Sequence, residues 1–421
     1  MKRIVIIGAG ASGLFSAINM SNENYEITIL EANDKPGKKI LTTGNGRCNI
    51  TNTLMTKNEF YCKDKCFVED ILNKFSYEDT LKTFKNIGIN TKDKDGYIYP
   101  NSMQASTVLN ALLSICSIKG IKIISNTVVD SITKDKTGKF YISATTNSEN
   151  KIYEADKLLI ACGSKASVKE DYTRNIYAYI SKAGHIINRQ MPALCSIYAK
   201  FDNKHIKEFF KNTQGVRSDI SCSLYSKDKL INSSSGELQI TDYGFSGIVI
   251  FQISGDVSRL IRDKYENDIV ICIDFIPNMN EDDILTLFKS QMYYEKKSLQ
   301  DLFNGIINNK LVHELLMLYS NIVDKNVKPF NKKVDDDKLL KIIRFMKKCY
   351  FNVEKTNSYK FAQVCTGGVD ITDINDNLES IHVKNMYFSG ECIDVDGVCG
   401  GYNLQWAWST GYVAGRSMTN D

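Results

Sequence analysis

Lys2 to Ile7 reads KRIVII, a β-branched run that shows no polar alternation once past its two cations. That is the pattern of a strand covered on both faces in a parallel sheet. Gly8-Ala9-Gly10-Ala11-Ser12-Gly13 follows at once, Leu14 to Met20 continues with small and apolar residues suited to a helix, and Glu26 to Leu30 returns to strand pattern and stops at Glu31. This order predicts a complete strand, helix, strand unit. Thr127-Val128-Val129, Lys157 to Ile160 and Met386-Tyr387-Phe388 read as further short strands, and Leu404 to about Met418 as a closing helix after a glycine-rich loop.

Between these segments the pattern changes. After Ser181-Lys182-Ala183-Gly184-His185, the stretches Ala193 to Phe201, Gly215 to Leu224 and Glu237 to Thr241 predict antiparallel strands. Glu281 to about Tyr350 shifts to helical periodicity. The expected organisation is a discontinuous α/β dinucleotide domain of residues 1–188 and 356–421. A domain of residues 189–355 is inserted in it, β-rich over 189–280 and helical over 281–350. The insertion is expected to cover the cofactor and form the substrate cleft, since ligand sites favour domain interfaces.

Composition narrows the class. At roughly 100 to 200 residues per domain, 421 residues fit two or three domains with a real core. A chain that is 43% hydrophobic and 24% charged is neither disordered nor fibrous. No apolar run approaches the ~18 residues of a spanning helix, so a soluble, unprocessed, cytoplasmic protein is expected. The 53 basic and 49 acidic side chains leave a net charge of +4, which supplies no motive for a polyanionic partner. Twelve scattered cysteines suit free thiols in a reducing compartment.

The first glycine cluster carries specific chemistry. Gly8 permits a tight turn, Gly10 lets backbone approach a pyrophosphate, and Gly13 lets helix and strand pack closely. Free N–H groups at the helix start, around Ala11 and Ser12, then face the anion. Glu31, with Ala32 beside it, ends the second strand where a carboxylate can accept from ribose hydroxyls. An adenine dinucleotide is the expected ligand, either held flavin or exchangeable nicotinamide. Ala161-Cys162-Gly163-Ser164 after the Lys157 strand, and Ser389-Gly390-Glu391 after the Met386 strand, favour flavin, because a distant return of the chain brings a carboxylate toward a ribityl group. The helix starting near Leu404 could place its positive end at the flavin pyrimidine and stabilise reduced flavin.

The segment Lys38-Lys39-Ile40-Leu41-Thr42-Thr43-Gly44-Asn45-Gly46-Arg47-Cys48-Asn49-Ile50-Thr51-Asn52 closely resembles the signature of the BaiN-like bacterial NAD(P)/FAD-dependent oxidoreductases. That family includes a bile-acid enoyl reductase and members labelled aminoacetone oxidases. Further blocks match in order: Asp95 to Pro100, Gly236-Glu237-Leu238, Gly244 to Gly247, Thr366 to Val369, and Gly390 to Gln405. The resemblance implies a Rossmann-like FAD-binding domain of the glutathione-reductase-like class. It implies FAD contacts at Gly8, Ser12, Gly13 and Glu31, at Lys39, Gly44, Arg47 and Asn49, at Val129, Ala161 and Gly163, and at Gly390, Glu391, Asn403 and Leu404. Lys38, Thr43, Cys48, Cys162 and Gly401 adjoin these positions and join the expected cofactor set. Lys38, Lys39 and Arg47 are cations beside small residues, suited to phosphate or flavin carbonyls. Relatives often carry His at the Asp242 position and Pro at Ile248, which takes weight off a shared acid–base group there.

Other chemistries find less support. Cys48 stands alone in its region and no second GxGxxG occurs between Val129 and Gly367, so a relay from nicotinamide to a dithiol is not expected. Cys62 and Cys66 lack a second close pair, and His185, His205, His313 and His382 are far apart in sequence, so no metal site is expected. Asp242, Tyr243 and Tyr402 are candidate proton donors. The expected activity is hydride transfer from transiently bound NADH or NADPH through FAD to an enone-like small molecule. The alternatives are an amine or aminoketone oxidase that uses dioxygen, and a flavin-dependent sensory or RNA-associated binding protein, the latter motivated by the cations from Lys325 to Lys348.

Overall fold

The KRIVII run forms the middle strand, Lys2–Ile7, of a five-stranded sheet ordered Met386–Phe388, Lys157–Ile160, Lys2–Ile7, Tyr25–Leu30, Lys122–Ile124. Every neighbouring pair in it is parallel. Ile4 to Ile7 and Leu158 to Ile160 are buried, as strands covered on both faces must be. This computed structural model describes all residues except 22, 168–171, 265–267, 293–296, 333 and 421. The chain divides into one unit of Met1–Gln190 with Val364–Asp421 and a second of Met191–Gln363.

Within the first unit, the helix after the central strand spans Ala11–Asn19 and starts three residues earlier than the apolar pattern alone indicates. It packs against the closing helix, Tyr402–Thr419. Two glycines make that approach possible: a methyl group on Gly411 would lie 2.9 Å from Ser12 O, and one on Gly415 would lie 2.6 Å from Ser16 O. Around this crossing Phe15, Phe84 and Trp408 are fully buried, with Trp408 5.2 Å from both other rings. Each such side chain contributes about 1.5–3 kcal/mol by leaving water. The Trp408 indole N–H donates to Ile50 O at 2.9 Å, so its polar end is satisfied. A small antiparallel sheet of Thr51–Asn52, Tyr97–Pro100 and Thr91–Lys94 sits in the same unit.

The second unit holds a closed six-stranded barrel ordered Ile197–Ala199, Gly244–Ser246, Lys229–Ile240, Arg217–Ser226, Ile269–Asp274, Cys349–Thr356. Alternation builds it: Ile220, Cys222 and Leu224 point inward while Arg217 and Asp219 are exposed. Phe210, Phe245 and Phe351 meet edge to face in its core. The strand expected over Ala193 to Phe201 is realised in its middle, at Ile197–Ala199, and the one expected over Glu237 to Thr241 is the end of a longer strand, Lys229–Ile240. The helix Ile248–Arg262 follows the barrel strand Gly244–Ser246.

The helical stretch is realised as Glu281–Met292, Leu299–Phe303, Asn309–Ile322 and Asp336–Lys347, with 293–296 and 333 outside the described residues. It ends before Cys349 and Tyr350, which are strand residues. From Cys349 the buried and exposed positions alternate with a period of two, and barrel pairing to Ile269–Asp274 overrides the helical pattern before them.

Candidate cofactor site

Parallel strands bring their carboxyl ends to one edge of the sheet, and a crevice opens where the strand order reverses. Here the reversal lies between Lys2–Ile7 and Lys157–Ile160, so Gly8, Gly10, Ala161 and Gly163 share one edge. Gly8 has φ +107°, and a Cβ on it would fall 2.3 Å from Ala161 O. A Cβ on Gly13 would fall 2.0 Å from Gly8 O. Both glycines are therefore required by the fold itself.

Gly10 differs. It caps the Ala11–Asn19 helix in an extended conformation, φ −81° and ψ −169°, and a Cβ there would meet nothing within 4 Å. Gly163 likewise faces open space. The first turn of the helix carries no acidic side chain, so the free N–H groups around Ala11 and Ser12 point their partial positive charge without internal neutralisation. This is a cradle a side chain would fill, and its donor set fits a pyrophosphate.

Glu31 is buried at the end of Tyr25–Leu30. Its Oε2 accepts from Ala9 N at 2.8 Å, and its Oε1 accepts from Asn33 N at 2.8 Å and Asn33 Nδ2 at 2.7 Å. A carboxylate oriented this way retains lone pairs for a diol. Its backbone O accepts from Thr127 N at 2.8 Å, which brings the strand carrying buried Val129 alongside. Ala32, next in the chain, is half-buried.

From the other end of the chain, Gly390 has φ +74° and packs on Ser12, whose Oγ donates to Ser389 O at 3.3 Å. Gly390 N donates to Thr410 Oγ1 at 2.8 Å. Glu391 is engaged on both oxygens, by Lys39 Nζ at 2.5 Å and by Ser164 Oγ at 2.6 Å with Cys365 N at 3.0 Å. Lys39 and Glu391 thus act as a pair tying two distant segments together. Cys365 and Thr410 escaped sequence reasoning, since nothing local to them marks Glu391 and Gly390, 26 and 20 residues away, as their partners.

The glycine-rich signature folds as a short helix, Lys38–Thr42, and a 3-10 turn, Thr43–Gly46. Gly44, Asn45, Gly46 and Cys48 all have left-handed backbone, with φ of 54°, 54°, 79° and 58°. Strain of this kind in Asn45 and Cys48 is kept where surrounding structure over-determines it, commonly at ligand clamps. Thr43 Oγ1 donates to Ile40 O at 2.6 Å and Thr43 O accepts from Cys48 N at 3.0 Å, closing the loop. Arg47 is exposed. Lys38 pairs with Asp34 at the surface. The Cys48 side chain is wholly buried, and burial pushes its thiol up to about 11, so only its backbone could face a ligand. Asn49 is also buried, and a Cβ on Gly401 would lie 3.0 Å from its Oδ1.

Gly401, φ +94°, starts the closing helix, whose first turn again carries no acid. Asn403 clasps the loop before it, accepting from Gly397 N at 2.8 Å and donating to Gly397 O at 2.7 Å. Leu404 is half-buried in the same turn, and Cys162 is half-buried beside Gly163. Tyr402 is buried edge-on to Phe60, and burial lifts its phenol to about 12, so its setting is that of a packing residue.

Asp242 and Tyr243 lie in the second unit. Asp242 is exposed. The Tyr243 hydroxyl lies 3.0 Å from Ser196 Oγ and accepts from Asn357 Nδ2 at 3.3 Å, and its ring stacks on Tyr198 at 4.4 Å. His185 and His382, far apart in sequence, meet edge to face at 4.8 Å, one bonded to Ser380 Oγ and the other to Asp373. Among the described residues no helix is long and apolar enough to cross a membrane.

Known proteins share this organisation. The sequence pattern of the HI0933-like protein Rossmann domain matches residues 2–417. A 3-dehydro-bile acid delta(4,6)-reductase of Clostridium scindens is 36% identical over 99% of both chains. A ribosomal RNA dihydrouridine synthase of Haemophilus influenzae is 26% identical over 99% of this chain and 98% of its own. In structure, a 3-ketosteroid delta1-dehydrogenase from Sterolibacterium denitrificans superposes with a TM-score of 0.53 over all of both chains at 11% identity, a likeness of fold.

Proposed function

The chain belongs to the HI0933-like protein Rossmann domain family and is a flavin-dependent oxidoreductase, and from that premise we propose that it reduces a carbon–carbon double bond conjugated to a carbonyl in a small molecule. The observation that carries the proposal is the end-to-end relation to a reductase of a 3-dehydro-bile acid. A 4-en-3-one and a uracil ring share the same reactive element, an alkene polarised by a neighbouring carbonyl, so both relatives' names fit one reaction class.

On this proposal FAD occupies the edge built by Gly8, Gly10, Gly13, Glu31 and Gly163, with the Gly37 to Asn49 loop and the Gly390 to Leu404 segment completing the grip. When bound, the flavin supplies a two-electron relay from NADH or NADPH to the acceptor. The protein contributes orientation and charge. N–H groups at the start of Ala11–Asn19 hold phosphate, and those at the start of Tyr402–Thr419 favour negative charge beside them.

Anaerobic stopped-flow mixing tests this. The flavin should bleach with NADH or NADPH and recover its colour on addition of a 4-en-3-one steroid. Absence of bleaching by either nucleotide, with bleaching by an amine and peroxide release in air, would replace the reductase with an oxidase. Recovery of colour with uridine-containing RNA alone would move the substrate class to nucleic acid.

A further inference from the structure

The block Asp95 to Pro100 has no part in the cofactor grip described above, yet its strand faces the strained loop of that site. Tyr97–Pro100 pairs with Thr51–Asn52 on one side and Thr91–Lys94 on the other, which fixes its pleat. Tyr97 and Tyr99 therefore project to the same face. Each meets a different glycine loop. A methyl group on Gly400 would lie 3.1 Å from the Tyr97 ring, and one on Gly44 would lie 3.6 Å from the Tyr99 ring and 3.9 Å from Arg47 Cβ. That methyl group would also lie 3.2 Å from Asn49 N, so a glycine at Gly44 is what lets the loop, the Tyr99 ring and the stem of Arg47 come this close.

Among the described residues, neither the half-buried Tyr99 hydroxyl nor the exposed Arg47 guanidinium has a hydrogen-bond or ion-pair partner. The Tyr99 hydroxyl is not among the buried unpartnered atoms, so it stays open to solvent or a ligand. Here it lies beside a cation held on a loop of strained, left-handed residues.

Resting on the ene-carbonyl reduction proposed above, we propose that the Tyr99 hydroxyl and the Arg47 guanidinium form the site for the substrate's carbonyl oxygen, an oxyanion site for a ketone that becomes an enolate. When hydride from the reduced cofactor adds to the β-carbon, the alkene pair forms a new double bond between the α-carbon and the carbonyl carbon, and the carbonyl pair moves onto oxygen. Negative charge then appears on that oxygen, where a phenol O–H and a neighbouring cation stabilise it more than they stabilise the neutral ketone. Burial, and next the neighbouring Tyr97, hold the Tyr99 phenol above its ordinary range against the pull of Arg47, so it stays a proton donor at neutral pH. If the proton passes fully, the enol forms, the phenolate remains beside Arg47, and water restores the proton.

The test needs no turnover. The flavin-loaded protein is titrated with 4-fluorophenol, an enolate stand-in, and followed by fluorine NMR across pH. Bound probe should be ionised at a pH where free probe is neutral. Tyr99→Phe keeps the ring and its packing, and should weaken phenolate binding about tenfold or more and abolish the ionisation shift. Arg47→Gln should do the same, with Arg47→Lys restoring part of the affinity. Flavin content and bleaching by nicotinamide are measured on each variant. Unchanged probe binding and ionisation in Tyr99→Phe overturns the proposal even if the enzyme reduces enones. Loss of the shift in Tyr99→Phe sustains the oxyanion site even if no enone is reduced, in which case the reaction class alone fails.

Discussion

Gly10 and Gly13 belong to one motif, but the structure assigns them different duties, and a pair of substitutions separates cofactor retention from folding. At Gly10 the backbone is extended and an added side chain meets no protein atom within 4 Å. Gly10→Val gains from a less flexible unfolded chain and loses a favoured helix cap. These effects are each about 1 kcal/mol and opposed, so the cofactor-free protein should unfold within a few degrees of the original. The same branched side chain fills the approach to the helix N–H groups. Loss of two charge-assisted bonds at about 1.5–3 kcal/mol each predicts a loss of about 3–6 kcal/mol, two to four orders of magnitude in flavin affinity. Gly13→Ala places a methyl 2.0 Å from Gly8 O, so the helix must back away from the strand. It should lower the unfolding temperature by a margin matching a cost of about 3 kcal/mol, whether or not flavin is bound. The assay is flavin absorbance per chain, fluorescence titration of FAD into stripped protein, and thermal unfolding of the stripped forms. A Gly10→Val protein that holds flavin like the original, or one that melts as early as Gly13→Ala, refutes the assignment of the open face of Gly10 to a ligand.

Two further expectations follow from burial. His185 is 3% exposed and burial, the leading cause, holds its imidazole below the ordinary range. The unfolded chain takes up that proton near pH 6.5 while the folded one does not, so stability present above about pH 6.5 declines as pH falls from there through the lower folded value. Melting followed from pH 7.5 to 5 should show the decline and His185→Gln should flatten it, with an unchanged slope counting against the buried imidazole as its source. Among the twelve thiols, Cys66 is exposed, whereas burial raises Cys116 to about 11 and Cys195, Cys365 and Cys392 to about 12. Brief alkylation at pH 8 with mapping by mass spectrometry should therefore label Cys66 first. Equal early labelling of Cys392 would show that its setting opens readily.

The first strand, its glycine turn and Glu31 were legible because the information is local: a run of β-branched residues, then positions where only glycine fits. The Lys157 and Met386 strands were legible for the same reason. The barrel was not. Its longest strand, Lys229–Ile240, reads KLINSSSGELQI, with so little apolar signal that only its end from Glu237 stood out, and its existence depends on pairing with Arg217–Ser226. Tyr350 was misread as helical because the amphipathic run before it masks the change of period. The Lys39–Glu391 pair, 352 residues apart, has no trace in either neighbourhood. Nor did spacing reveal that His185 and His382 touch.

The crossing of the helices Ala11–Asn19 and Tyr402–Thr419 has a bearing on biosynthesis. A nascent chain can complete the contiguous barrel unit while the ribosome is still working, but the nucleotide lobe cannot close until its last strand and helix emerge. Closing so large a loop is slow, because its entropy is lost before the long-range contacts repay it. Until then the apolar faces of the opening helix and sheet stand uncovered. How long those faces stay uncovered during synthesis is thus set by how late the strand Met386–Phe388 and the helix Tyr402–Thr419 arrive.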